Sequence, residues 1–330
     1  MANITYIIGA GASCGIRNEK NKESWEVTGL PLVSEIPKRF LSLIEAFGEE
    51  GLNMLRDKIY VNLVELNSEI QDFISVDTLA RSCFLSGNYG KLTMVKKAIE
   101  IFILYEEITR GIDKRYDLFF STLLDRKDNT IFFPDKINII SWNFDIQIER
   151  SITRLTNLPI NFIKKIAGFY YENVRQEIKD FTVFKLNGTC WREGVQKIDF
   201  KNKENAIRSL IEYYSDFTAN LSSNIRFAWE GDESVIMAAY QLLKDSDTLV
   251  VIGYSFPTFN RQVDKKLLTS FFTGNMNLKN IYIQVPEEGF QGVEERIKSL
   301  FPHSKEIKDK IFFPIKGLNE FYIPPNYHDD

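Results

Sequence analysis

Residues of the kind that bind anions or steer a reacting centre stand in four short groups, each directly after an apolar run. Gly9-Ala10-Gly11-Ala12-Ser13 follows Ile4-Thr5-Tyr6-Ile7-Ile8, and Asn143 and Asp145 follow Ile137-Asn138-Ile139-Ile140-Ser141-Trp142. Asn187-Gly188 follows Phe181-Thr182-Val183-Phe184-Lys185-Leu186, and Gly253-Tyr254-Ser255 follows Thr248-Leu249-Val250-Val251-Ile252. Glycine admits backbone angles closed to other residues and has no side chain to obstruct a ligand. A glycine turn that leads into a helix offers N–H groups to an anion such as a pyrophosphate. The third glycine of the usual dinucleotide fingerprint is absent, so a tight turn with no ligand accounts for the first group equally well. Asn143 and Asp145 read equally as an Asx turn capping the next helix, and Ser255 as an ordinary turn residue before Phe256-Pro257. Taken together, polar residues at the carboxyl ends of several strands lie where open α/β sheets bind ligands.

The elements that must position these groups are legible in outline. The four apolar runs, with Ile281-Tyr282-Ile283-Gln284-Val285, are expected to be buried strands. Helices are expected after Ile146 and at about 205–214, 233–243, 260–272 and 293–300, before an irregular, proline-punctuated tail. Strands alternating with helices give an α/β fold with a doubly wound parallel sheet. From Ser34 to about Arg126 the spacing is helical almost throughout: Leu52, Leu55, Ile59, Leu63 and Leu66 recur at three or four residues, as do Val95, Ile99, Phe102 and Ile103. Gly87-Asn88-Tyr89-Gly90 interrupts it, and Ser75 or Asp77 caps a helix within it. So long a helical stretch after one strand is expected to be an insertion or cap, 34–126, within a single domain of 1–330.

Composition narrows the class. The chain has 330 residues, 44% hydrophobic and 26% charged, the values of a soluble globular protein. A formal net charge of -4 supplies no field to hold nucleic acid or an anionic membrane. No apolar run approaches the ~20 residues that span a bilayer, and Met1-Ala2-Asn3 leads straight into the first strand, so a cytoplasmic protein is expected. Cys14, Cys83 and Cys190 are widely separated, which argues for buried free thiols rather than zinc or disulfides. The two histidines, His303 and His328, both lie near the end.

The order and spacing of the four groups resemble the sirtuin family, and more closely its sirtuin-like branch of prokaryotic NAD-degrading defence proteins. The likeness covers the first motif and about 137–285. It implies a Rossmann-like, sirtuin-type sheet with NAD as substrate. By the resemblance, Gly9, Ala10, Gly11, Ala12 and Ser13 hold the pyrophosphate, and Asn143 and Asp145 line the nicotinamide–ribose pocket. Gly253 and Ser255 contact phosphate and ribose, and Gln284 lies beside the adenosine ribose, where the family usually has asparagine.

Two departures matter. The four cysteines of the deacylase zinc module are missing, so no metal is expected and peptide deacylation is disfavoured. The family's lysine-leucine-histidine-glycine motif reads Lys185-Leu186-Asn187-Gly188. Hydrolysis of NAD tolerates that change, because nicotinamide leaves as a neutral molecule and needs no general acid. Asp145 supplies negative charge, Asn143 holds water or a ribose hydroxyl, and Asn187 donates and accepts hydrogen bonds without acting as a base. Three readings of Asn187 stand side by side: a natural residue in an active hydrolase, the mark of a binding-only subunit, or an introduced histidine-to-asparagine change. The resemblance implies anti-phage abortive infection. With no room for a sensor domain, control is expected from a separate activator protein or from oligomerisation.

Overall fold

The computed structural model describes residues 3–16, 29–49, 54–73, 75–128, 130–172, 181–191, 198–200, 202–215, 223–273, 280–304, 307 and 310–327. Leu52, His328 and the polar stretch from 17 to 28 lie outside them, as do the side chains of Leu55 and Ile59. The strands are β1 Ile4–Ile8, β2 Asp125–Lys127, β3 Thr130–Phe132, β4 Ile137–Ser141, β5 Gly168–Tyr170, β6 Thr182–Lys185, β7 Thr248–Ile252, β8 Asn280–Gln284 and β9 Ile311–Pro314. The helices are α1 Ala10–Ser13, α2 Ile36–Glu49, α3 Met54–Asp72, α4 Val76–Leu85, α5 Tyr89–Arg110, α6 Lys114–Leu123, α7 Gln147–Thr156, α8 Ile160–Ile166, α9 Lys203–Ser215, α10 Glu233–Lys244, α11 Arg261–Thr273 and α12 Glu287–Leu300.

Seven strands form one parallel sheet in the order β5-β6-β4-β1-β7-β8-β9, while β2 and β3 make a separate exposed hairpin. The expected doubly wound α/β architecture is present. Alternate residues of the central strands serve two different cores, which is why their sequences read as unbroken apolar runs. Tyr6, Ile8, Ile139 and Val250 face a layer made of α6, α7 and the carboxyl-terminal tail. Ile7, Ile140, Val251 and Ile283 face α10, α11 and α12. The register aligns the strand ends: Ile8 lies opposite Ser141 and Ile252, Ser141 opposite Lys185, and Ile252 opposite Gln284. Each polar group therefore begins at one level on one edge of the sheet. The chain first builds outward from β1 through β4 and later crosses to β7 on the other side, so the topological switch lies between β1 and β7.

The helical stretch divides between two cores. Helices α2 to α5 share a third core with α9, whereas α6 packs under the sheet through Tyr116, Phe119, Phe120 and Leu123. Ser75 caps α4, its Oγ accepting from Thr78 N at 3.3 Å, and Asp77 sits in the first turn, where burial pushes its carboxyl up to about 6. The tail is more than irregular chain: it contributes β9 and then covers one sheet face with Phe321, Tyr322 and Ile323. Helix α12 starts at Glu287, six residues before the expected Val293, with Glu287 and Glu288 in its first turn.

The glycines at the switch are fixed by close approach. Gly253 has φ +58°, and a Cβ there would lie 2.3 Å from Ala12 N and from Gly11 C. Gly292, inside α12, has nothing within 4 Å of such a Cβ. Gly253→Ala is expected to destabilise the fold by about 3 kcal/mol or more, and Gly292→Ala to stabilise it by about 1 kcal/mol. Urea unfolding of the two variants beside the parent checks the contrast.

Candidate functional site

At the switch point the glycine turn after β1 is locked to the one after β7. Gly9 N donates to Ile252 O at 3.1 Å, Gly11 N to Gly253 O at 2.9 Å, and Ala12 N to Gly9 O at 2.8 Å. These three donors are thus engaged within the protein rather than presented to an anion. The turn's carbonyls are held as well. Arg115 Nη2 donates to Ala12 O at 3.1 Å and Gly11 O at 3.3 Å, while pairing with Asp113 at 2.6 Å. Asp113 caps α6 and also accepts from Gly15 N at 2.9 Å.

Asn143 is the tie between β4 and this turn. Its amide Nδ2 donates to Gly9 O at 3.0 Å and to Ser13 Oγ at 3.1 Å, and its backbone N–H donates to Ser141 Oγ. Ser13 Oγ also lies 3.0 Å from Tyr116 OH and favours the ionised form of the nearby Asp145 carboxyl. Asp145 is buried, and that burial pushes its carboxyl above the usual range against the opposing pull of Lys185 and Ser13. Gln147 N donates to Asp145 Oδ1 at 3.3 Å, the Asx-type contact expected at a helix start. Asn143, Asp145 and Ser13 therefore form one network.

A buried ionic layer lies beneath. Lys185 donates to Asp145 O and pairs with Glu149 at 2.9 Å. Burial lowers the Lys185 pKa, but Glu149 and Asp145 outweigh it and hold the ammonium above its ordinary value. Glu107, fully buried, accepts from Arg150 at 2.5 Å, Gln147 Nε2 at 2.7 Å and Ile146 N at 2.9 Å. Burial pushes its carboxyl up to about 7; Arg150 opposes that shift and Asp145 adds to it.

Asn187 is half-buried at the end of β6. Its Nδ2 donates to Trp142 O at 2.9 Å, which fixes the amide orientation, because a carbonyl can accept only from the nitrogen end. Its Oδ1 is buried with no hydrogen-bond partner. Trp142 in turn stacks on Tyr254, with ring centroids 5.7 Å apart, across the end of β1.

In comparison with known proteins, no family model matches the chain, nor does any curated protein or any solved structure.

The remaining residues singled out from the sequence divide. Gly253 is built into the switch, while Ser255 is exposed, its carbonyl accepting from Arg296 at 2.6 Å. Gln284 sits on the aligned edge but is turned into the tail: Nε2 donates to Gly317 O and Glu320 O, and Oε1 accepts from Tyr322 N at 3.1 Å. His303 is exposed just beyond α12 and at none of the strand ends singled out from the sequence. Cys83 and Cys190 are buried free thiols and Cys14 is half-buried. Among the described residues no group of three or more histidine, cysteine or acidic side chains is placed to hold a metal, and no helix is long and apolar enough to cross a membrane. Arg115, Glu107 and Gln147 were not singled out from sequence. The one signal available was Gly111-Ile112-Asp113, a helix stop followed by a cap.

The raised carboxyls fix a sign for pH dependence. Between about 4.5 and 7 the native chain holds a proton on Glu107 that the unfolded chain has released. Native protein binds more protons there, so this group's contribution to stability falls as pH rises through that interval. Asp145 adds in the same direction. Glu107→Gln is expected to be less stable overall but to show a flatter dependence, measured as unfolding free energy at pH 4.5, 6 and 7.5.

Proposed function

We propose that this chain hydrolyses NAD to nicotinamide and ADP-ribose, as the likeness of its strand-end motifs to sirtuin-like NAD-degrading proteins implies. The observation that carries the reading is Asn187 Oδ1, a buried acceptor with no partner on the same edge as the Asn143–Ser13–Asp145 network. A buried polar atom left unsatisfied costs about 1–3 kcal/mol, and a ribose hydroxyl donating to it would remove that cost.

The chemistry needs little from the protein. The bond between ribose C1′ and the pyridinium nitrogen breaks, its electron pair leaves with nicotinamide, and the positive charge passes to the sugar. Water adds at C1′ and gives up one proton. A cation beside Asp145 favours the ionised carboxylate, offsetting the burial that holds its pKa up. The ionised group then stabilises the oxocarbenium-like centre and can accept the proton from water. Asn187 orients the ribose without acting as a base.

A second reading, a subunit that binds NAD or ADP-ribose without cleaving it, draws on the same geometry. Asn143 has both amide protons engaged in the fold, and no histidine of the described residues lies at a strand end. In either case we place the protein in anti-phage defence, under the control of a separate protein or of self-association.

Nicotinamide release from NAD separates the two. The parent is expected to turn over, Asp145→Asn to lose about 10²–10³-fold, and Asn187→His to run faster than the parent. NAD retained intact by both the parent and Asn187→His would transfer the assignment to the binding subunit.

A further inference from the structure

Gly29 and Leu30 pack back onto the end of α1. Leu30 N donates to Ser13 O at 2.7 Å, and Gly29, at φ +109°, lies so close that a Cβ on it would stand 2.3 Å from Cys14 C and from Gly15 N. The last carbonyls of a helix have no partner within it, so α1 depends on outside donors. Arg115 serves Gly11 O and Ala12 O, and Leu30 serves Ser13 O. The place of Ser13, and with it the Asn143–Ser13–Asp145 network, is therefore set in part by where Gly29 and Leu30 sit.

That placement has a charged support. Arg39 on α2 donates from Nη2 to Gly29 O at 3.2 Å and pairs with the Glu106 carboxylate of α5. Both are buried, and Arg110 Nε lies 3.6 Å from the same carboxylate. The next residue is Glu107, whose carboxylate accepts from Ile146 N and Gln147 Nε2. Successive residues of a helix point about 100° apart, so α5 supports the loop on the glycine turn with one acid and the backbone beside Asp145 with the next. Ser13 and Asp145 are thus held relative to the same helix.

Stability is a weak account of the Arg39–Glu106 pair. Both ions are desolvated, and Arg39 Nε is buried with no hydrogen-bond partner. Burial lowers the Arg39 pKa and raises that of Glu106 against their mutual attraction. Helices α2 and α5 also pack through Phe40 and Phe102, ring centroids 5.4 Å apart, within a core that includes Leu43, Ile44, Ile99 and Ile103. A buried pair in such surroundings can often give way to apolar side chains without destabilising the fold. What the pair adds is a fixed donor at Gly29 O.

We propose that Arg39 is a positioning residue: held by Glu106, it fixes Gly29 and Leu30 against the end of α1 and so places the Ser13 hydroxyl beside Asn143 and Asp145. Its consequence for catalysis rests on the NAD reading, and the test keeps the two apart. The charge-neutral variant Arg39→Met/Glu106→Met and the conservative Arg39→Lys would be compared with the parent in three ways. These are urea unfolding, nicotinamide release from NAD, and carbon-13 NMR titration of the Asp145 carboxyl. The titratable groups that face Asp145 stay as they are: Lys185 from β6, Glu149 from α7, Glu107 from α5, Tyr116 from α6, and Cys190. For the double variant an unchanged urea midpoint is expected, with kcat lower by about 10- to 100-fold and KM little changed. Its Asp145 titration should move to higher pH, because Ser13 no longer favours the ionised form. Arg39→Lys, which can still donate to Gly29 O, should lose less. Full kcat and an unmoved titration in the double variant would overturn the role of Arg39 and leave the NAD reading standing. A moved titration in a chain whose parent releases no nicotinamide would keep the positioning role and remove the hydrolase reading. A urea midpoint that falls together with kcat would make the pair a support of the fold instead and overturn the proposal.

Discussion

Two glycine turns touch backbone to backbone across the sheet edge, and the arrangement around them depends on that contact. Gly11 N donates to Gly253 O, and a Cβ on Gly11 would stand 2.7 Å from Gly253 Cα. On Gly9 it would stand 2.8 Å from Gly253 O. No side chain larger than hydrogen fits at any of the three positions without separating β1 from β7. Separation would also pull Tyr254 from its stack on Trp142, and Trp142 O is what holds the Asn187 amide. The glycines thus act first through chain packing. Their value to a ligand is indirect: they let loops from β1, β4, β6 and β7 converge within one small volume.

The charged layer under that edge answers a different demand. Lys185, Glu149, Asp145, Glu107 and Arg150 are buried together, where each ion carries a desolvation cost of several kcal/mol that pairing only partly returns. Buried ion pairs in proteins can often be replaced by apolar side chains of similar volume at no cost in stability, so stability is a weak account of the layer. What it provides is position and charge state. Glu107 fixes the backbone of Ile146 and the side chain of Gln147, Lys185 fixes the carbonyl of Asp145, and the neighbouring charges set how readily Asp145 ionises. A carboxylate whose ionisation responds to a nearby cation suits a site where positive charge moves onto a sugar.

Much of this was legible in the sequence, and the failures have physical causes. β1, β4, β6 and β7 declare themselves because both faces are buried, which leaves continuous apolar runs, and β8 is legible from its apolar core although one face is partly open. β5 is only Gly168-Phe169-Tyr170, too short for any period, and β9 ends in Pro314, which an edge strand tolerates and a pattern search penalises. Gly289 and Gly292 concealed the first turns of α12 behind residues that usually end helices. Periodicity showed that 114–123 is helical but not which core it joins, because α6 and its neighbours in the chain carry the same apolar spacing. The four strand-end groups were readable as groups. The partners of those groups were not: Arg115 reaches the glycine turn across 103 residues, and Glu107 reaches Gln147 across 40. Gln284 shows the limit most clearly. Its place on the edge follows from the strand, but its direction is set by a tail more than thirty residues later.

The packing of the helical layer explains how a site of this kind can be governed from a distance. Ile146, Cys190, Trp191, Ile225 and Phe227 belong to the same hydrophobic core as α2 to α5 and α9, and Phe144 packs against it. Phe144 and Ile146 flank Asp145, Cys190 lies three residues after Asn187, and Phe227 precedes Trp229 by two. The loops that carry the candidate site are therefore part of the helical core as much as of the sheet. Protein interiors are close-packed, so such a cluster shifts as a unit rather than by independent side chains. On the proposed reading, an activator that repositions α4 or α5 alters Asp145 and Asn187 through packing, without touching either residue. On that reading, control by a separate protein or by self-association acts through a surface on the helical layer.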